Sequence, residues 1–268
     1  MGLRCSSASV SHVGHAREVN EDTHLADDAQ GLWIVADGVG GHVGGDVASR
    51  LAVDTVSQQV AEGADLTDAF LQAHERILER AQTLDLAGMG TTLAAVRQTG
   101  RLFELAWVGD SRIYCFEEPR RGDEQGRGLN QSNRHAAQIK LQQLSRDHSF
   151  VEDMVERGVL SRDEAATHPQ RNLIRQALGM PKSIKVDRLQ FKPRVNGLLL
   201  VCSDGVTDML SDAQLAALLD RYLDRHIKAL ALELKNALLA TPADDNFTFI
   251  LIAYSPGRVN AWLNRCLP

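Results

Sequence analysis

Two strand-sized apolar runs, 102–108 and 112–116, are separated only by Gly109, Asp110 and Ser111, and no helix fits in that gap. Parallel neighbours need a crossover of about a dozen residues, so strands spaced this closely argue against a parallel sheet and suit antiparallel ones. Runs at 31–36, 92–96, 197–202 and 247–254 are likewise bounded by Gly, Asp or polar residues and read as strands. Two stretches carry the helical period instead. Ala48, Leu51, Ala52, Val56 and Val60 share one face, and Leu66, Phe70, Ala73, Ile77 and Ala81 another, with Gly63 between the two. The stretches 212–223 and 224–239 read as a second helical pair, entered through Ser211 and Asp212 as capping residues. The spacing excludes a doubly wound parallel sheet and predicts an α+β chain of antiparallel sheets covered by two helical pairs.

The 268 residues, 44% of them hydrophobic and 24% charged, suffice for a full core without disulfide or metal staples. A formal charge of -6 repels a phosphate backbone, so no nucleic-acid partner is expected. Cys5, Cys115, Cys202 and Cys266 form no CxxC pair, which suggests neither a zinc site nor a disulfide framework and suits a reducing cytoplasm. The longest apolar runs, such as 198–202 and 249–254, are strand-sized, so no membrane span is expected, and the N-terminus lacks the apolar stretch of a signal peptide. Met1-Gly2 followed by Ser6 matches a myristoylation pattern loose enough to occur by chance. The segment 117–138, with Pro119, Arg120, Arg121 and Gly122, has little to bury and reads as a mobile insertion between strands. No repeat or linker divides the chain, and 1–268 is expected to form a single domain.

The chemistry is concentrated in aspartates at strand tips. Asp37 ends the run 33–36, Asp204 follows 198–203, Asp110 follows 107–109, and Asp245 precedes the run beginning at Phe247. Carboxylates held at the ends of buried elements are poorly solvated, and several on one edge repel unless cations neutralise them. With no Cys or His cluster beside them, an oxygen-only set selects Mg²⁺ or Mn²⁺ over zinc. One Asp-Gly pair is simply a favoured turn. The ordered series is more specific: Arg17-x-x-Asn20-Glu21-Asp22, the Gly-rich 36–45, Gly90-Thr91-Thr92, Gly109-Asp110-Ser111-Arg112, Ser203-Asp204-Gly205 and Asp245-Asn246-Phe247-Thr248.

That series resembles the metal-dependent protein phosphatases of the protein phosphatase 2C family in their compact bacterial form. The segments 144–149 and 168–172 are also similar to that family, the second closing a flap at about 150–178. The resemblance implies an α-β-β-α sandwich of two antiparallel sheets flanked by helical pairs. It further implies hydrolysis of phosphoserine and phosphothreonine in proteins, reversing a Ser/Thr kinase in bacterial signalling or in control of a secretion system. By the same resemblance Asp37 bridges two Mn²⁺ or Mg²⁺ ions, Asp204 and Asp245 complete the first, and Glu21 with the Gly38 carbonyl holds the second. Asp22 stands behind these ligands, Asp110 with Asp204 serves a third, weaker ion, and Arg17 grips the phosphate through its parallel donors. Animal members carry a His two positions after the bridging Asp, where this chain has Val39. The general acid is therefore open between His42 and water held at the metal.

Other readings compete for single features. The stretch 38–45 fits neither a Walker loop nor a dinucleotide fingerprint and reads as tight turns near a metal. His12, His15 and His24 match no metal spacing. Arg171 and Arg175 suit either phosphopeptide binding or salt bridges within the flap. For the whole chain the alternatives are a catalytically silent regulatory binding module and a two-metal phosphodiesterase. The intact Asp37, Asp204, Asp245 and Arg17 weigh against the first, and the acidic balance against the second.

Overall fold

The computed structural model describes residues 3–39, 44–86, 88–117, 140–180, 183–221 and 226–255. Two five-stranded sheets, antiparallel throughout, form its centre. The first runs β1 (Arg4–His12), β12 (Phe247–Ser255), β11 (Gly197–Cys202), β8 (Arg112–Glu117), β9 (Lys140–Gln143). The second runs β10 (Asp187–Phe191), β7 (Leu102–Val108), β6 (Leu93–Thr99), β3 (Leu32–Ala36), β2 (Thr23–Asp27), and a short ladder pairs β4 (Gly38–Val39) with β5 (Gly90–Thr91).

Why the central strands are continuously apolar follows from the pleat. Side chains alternate between faces, and here both faces are covered. On β11, Leu199 and Val201 point between the sheets, while Leu198 and Leu200 point outward under α6 (Asp212–Arg221) and α7 (Ile227–Leu239). On β3, Trp33 and Val35 enter the inter-sheet layer, and Leu32, Ile34 and Ala36 pack under α1 (Gly45–Ala61) and α2 (Leu66–Leu84). Phe103 meets Trp33 and Tyr254 edge-on, with centroids 6.2 and 5.4 Å apart, which fixes the two sheets face to face. Three apolar layers thus alternate with the sheets, as the α-β-β-α expectation requires.

The helical pairs form where the periodicity places them. Asp65 caps α2 by accepting the Asp68 N–H at 2.9 Å, and Ser211 with Gln214 caps α6 reciprocally. The last helix is shorter than the 224–239 that the sequence predicts, because α7 starts only after His226, whose Nδ1 accepts the Lys228 N–H. The flap contains two short helices, α3 (Phe150–Glu156) and α4 (Arg162–Ala166), each opened by a capping serine, Ser149 and Ser161. Glu117 closes β8, and the rest of the expected insertion, 118–138, lies outside the described residues.

Candidate active site

Strand registers bring the acidic tips together. The end of β3, the start of β6 and the end of β7 lie at one edge of their sheet, since Val35 faces Ala94 and Leu93 faces Val108. The end of β11 and the starts of β8 and β12 lie at one edge of the other, with Cys202 facing both Arg112 and Phe249. Asp37, Asp110, Asp204 and Asp245 follow or precede these ends directly, and Glu21 and Asp22 lead into β2 beside them.

Backbone and side-chain bonds fix each approach. The Asp37 carbonyl accepts the Thr92 N–H at 2.8 Å, and the Thr92 hydroxyl lies 2.7 Å from that of Ser111, tying the Asp37 tip to the Asp110 turn. Asn246 accepts the Glu21 N–H through Oδ1 at 2.9 Å and donates through Nδ2 to the Val13 and Val19 carbonyls, anchoring the Arg17 loop to β12. Ser203 Oγ donates to Asp22 Oδ2 at 2.8 Å and accepts the Thr248 N–H at 3.0 Å. Gly38 donates its N–H to the Glu21 carbonyl at 3.2 Å and faces the Gly45 backbone so closely that a side chain at either position would collide with its neighbours. Glycine at 38 and 45 is here a condition for bringing backbone and Glu21 together.

Crowding shows in the electrostatics. Burial, then the charges of Asp204, Asp22 and Asp110, raises the Asp37 carboxyl well above the usual range, and Asp37 hydrogen-bonds to Asp204. Burial first and Asp204 second do the same to Asp110. Asp22 is pushed up to about 7 by burial, the Ser203 hydrogen bond opposing the shift, and its Oδ1 is buried without a hydrogen-bond partner. Asp37 and Asp204 keep some accessible surface, as groups at the floor of a cleft do. Among the described residues no three acidic, histidine or cysteine side chains already converge on one point. The donors are nevertheless all oxygen, mutually repelling, and in part unsatisfied, which fits hard divalent cations.

A groove of about 510 Å³ opens beside this cluster, lined by Asp110, Arg112, Ser149, Arg171, Asp204 and Asp208 among others, between the flap and α5 (Asp204–Thr207). On the other rim Arg17 Nη2 donates to Asp245 Oδ2 at 3.0 Å, both side chains about half exposed. Of the residues expected from the sequence, Arg17, Glu21, Asp37, Gly38, Asp110, Asp204 and Asp245 meet at this edge, while His42 lies outside the described residues. Arg175 approaches Asp153 at 3.6 Å within the flap, and Arg171 lines the groove. Ser203, Asn246 and Thr92 belong to the motif series read from the sequence, but it assigned none of them a role of its own.

Comparison with known proteins places the whole arrangement. A profile described as Protein phosphatase 2C matches residues 11–240. Over 218 residues the chain is 33% identical to the serine/threonine phosphatase stp of Listeria innocua serovar 6a, covering 77% of this chain and 79% of that protein. The solved structure of PppA, described as a key regulatory component of T6SS in Pseudomonas aeruginosa, superposes with a TM-score of 0.75 at 30% identity, over 93% of this chain and 97% of that one. The catalytic domain of the serine threonine protein phosphatase PstP in complex with 2 manganese ions gives a TM-score of 0.76 at 28% identity, over 94% and 99% of the two chains.

Proposed function

The chain belongs to the protein phosphatase 2C family, and from that membership we propose how its residues carry out metal-dependent hydrolysis of phosphoserine and phosphothreonine in proteins. Asp37 would be shared by two Mn²⁺ or Mg²⁺ ions; Asp204 and Asp245 would hold the first, Glu21 and the Gly38 carbonyl the second, and Asp110 with Asp204 would serve a third, weaker one. When bound, such ions supply positive charge to the phosphate oxygens and lower the pKa of an attacking water. The observation that carries this reading is the gathering of six carboxylates from both sheets at one edge, where burial and mutual repulsion push the Asp37 and Asp204 carboxyls up.

The chain's own groups supply the rest. Asp22, behind the cluster, is held by Ser203, and keeps one buried oxygen free to accept a hydrogen bond from water at the site. Arg17 gives its guanidinium to Asp245 and exchanges that carboxylate for the oxygens of an incoming phosphate, orienting it by two parallel donors. Charge growing on those oxygens in the transition state strengthens the contact. His42 or water returns the proton to the serine or threonine oxygen as it leaves. The groove between flap and α5 receives the peptide on either side of the phosphorylated residue.

We read 1–268 as one phosphatase domain, since the two sheets share a single interior layer. A cytoplasmic setting suits Cys5, Cys115 and Cys202, which are unpaired thiols. No helix among the described residues is long and apolar enough to cross a membrane. The partners we assign are phosphoproteins and the Ser/Thr kinase pathway that supplies them, control of a secretion system being one such setting.

The test is hydrolysis of a phosphothreonine peptide by purified protein after chelation and again with Mn²⁺ or Mg²⁺ restored, with Asp204→Asn as the blank. Activity should return with metal in the wild type and stay absent in the variant. Metal binding without turnover of any phosphopeptide would replace this reading with a silent binding module.

A further inference from the structure

The segment 144–149 matches no catalytic role, yet nearly every residue in it holds something at the site. Leu144 and Ser145 both donate their N–H groups to the Ile113 carbonyl, at 2.7 and 3.3 Å, and Ser145 Oγ accepts the Ile113 N–H at 2.9 Å. The Arg146 carbonyl accepts the Trp107 indole N–H at 2.8 Å. Asp147 receives the Arg112 guanidinium, Oδ2 accepting from Nε at 2.9 Å and Nη2 at 2.6 Å and Oδ1 from Nε at 3.0 Å, and Oδ1 takes a further bond from Gln143. These contacts bracket the turn that carries Asp110, from Trp107 on one side to Ile113 on the other.

His148 reaches the turn itself. Its backbone N–H donates to the Gly109 carbonyl at 2.9 Å, and its ring Nδ1 accepts the Gly109 N–H at 3.2 Å. Nδ1 as acceptor places the ring proton on Nε2, which lies 3.4 Å from Asp187 Oδ2 on β10. Gly109 needs this hold, because it adopts a φ of 105°, with Thr92 occupying the space of any side chain. The His148 carbonyl, in turn, accepts the Arg175 N–H at 2.7 Å, and the neighbouring Ser149 caps α3 while bridging Ile174. One residue therefore grips the Asp110 turn with its amide and ring, and the far end of the flap with its carbonyl.

We propose that 144–149 couples the flap to the Asp110 turn, with His148 as the positioning residue that sets where the Asp110 carboxylate stands. This rests on the reading of Asp110 as a ligand of the weaker ion. Movement of the flap is transmitted through the His148 main chain to Gly109, so flap and carboxylate change position together. Losing the ring leaves a buried Gly109 N–H without its acceptor and frees the turn to reorient. His148 touches neither phosphate nor ion, and its effect belongs in metal affinity and turn mobility, not in recognition of small substrates.

The experiment compares wild type, His148→Ala and His148→Asn, whose amide oxygen can stand where Nδ1 does. Amide hydrogen exchange of metal-free protein is read over 107–111 and over 150–178, and Mn²⁺ alone is titrated by electron paramagnetic resonance. His148→Ala should exchange faster in both segments and bind its weakest Mn²⁺ about tenfold less tightly. KM for p-nitrophenyl phosphate should stay within about twofold. His148→Asn should restore protection at Gly109 and most of the affinity. Unchanged Mn²⁺ affinity, an unchanged flap, or equal defects in both variants would each overturn the proposal. If His148→Ala does not fold, Asp187→Ala, which removes the ring's outer partner, should show the same changes to a smaller degree, and wild-type behaviour there overturns it as well. A wild type that binds no Mn²⁺ would sink the phosphatase reading instead, while the exchange data would still decide the coupling.

Discussion

Asp37 and Asp204 form one hydrogen-bonded unit because neither can be ionised cheaply beside the other in a poorly solvated cleft. Without a cation the cluster therefore favours the protonated carboxyl where the bound state needs charge. Asp37→Asn makes that conflict measurable: its amide donates to Asp204 as the protonated acid does, but needs no proton to do so. Phosphopeptide hydrolysis should be lost, while thermal melts in chelator at about pH 8 should show the variant more stable by roughly 1 kcal/mol, or about 2–4 °C. Normal turnover by Asp37→Asn would remove the bridging assignment. The carboxylates themselves were legible in the sequence, since an acid at the tip of an apolar run has few structural uses. Ser203 and Asn246 were not. A serine or asparagine beside a strand is ordinary turn chemistry, and only the register of β11 against β12 shows that each holds a site carboxylate or its loop.

Elements buried on both faces were read correctly because burial removes polar residues from both phases of the pleat: β3, β11 and β12 are near-continuous apolar runs. Edge strands carry no such mark. In β1 serines occupy four of nine positions, and β10 exposes Arg188 and Gln190, so neither presents a run that periodicity detects. The flap at about 150–178 was legible as a segment, but its attachment was not, because that depends on single hydrogen bonds over long sequence separations. Asn172 Nδ2 donates to Asp208 Oδ2 at 2.9 Å, latching the flap to the far wall of the groove just beyond α5. Asn172→Ala removes an exposed bond worth about 0.5–1.5 kcal/mol. KM for a phosphothreonine peptide should rise a few-fold, about as far as that energy allows, with p-nitrophenyl phosphate kinetics unchanged, since only the longer substrate lies along the groove. Equal effects on both substrates would mean that the latch serves the metal centre instead.

Across the whole molecule antiparallel sheets under two helical pairs were predictable from missing crossovers, whereas the clustering of acids from both sheets required the actual pairing order, which brings six strand ends to one edge. That clustering makes the stability of the chain a function of pH and of metal together. Asp22 titrates at about 7 in the fold against an ordinary value of 3.8, so between those values the folded chain binds more protons than the unfolded one. Its contribution is full below the unfolded value and declines as pH rises, being lost by the time the folded value is passed. Asp37, Asp110 and Asp204 are shifted in the same direction and add to the fall. In chelator, melting temperature should therefore drop from pH 5 to pH 8, by an amount on the order of a few kcal/mol in stability. A bound cation reverses the sign, because its ligands must be ionised and binding releases their protons, so affinity grows with pH. With millimolar Mn²⁺ the fall should disappear, and the melting curves with and without metal should separate progressively above pH 6. Parallel curves over that range would show that the ion binds without displacing these protons, and would break the link between the carboxylate cluster and the metal site.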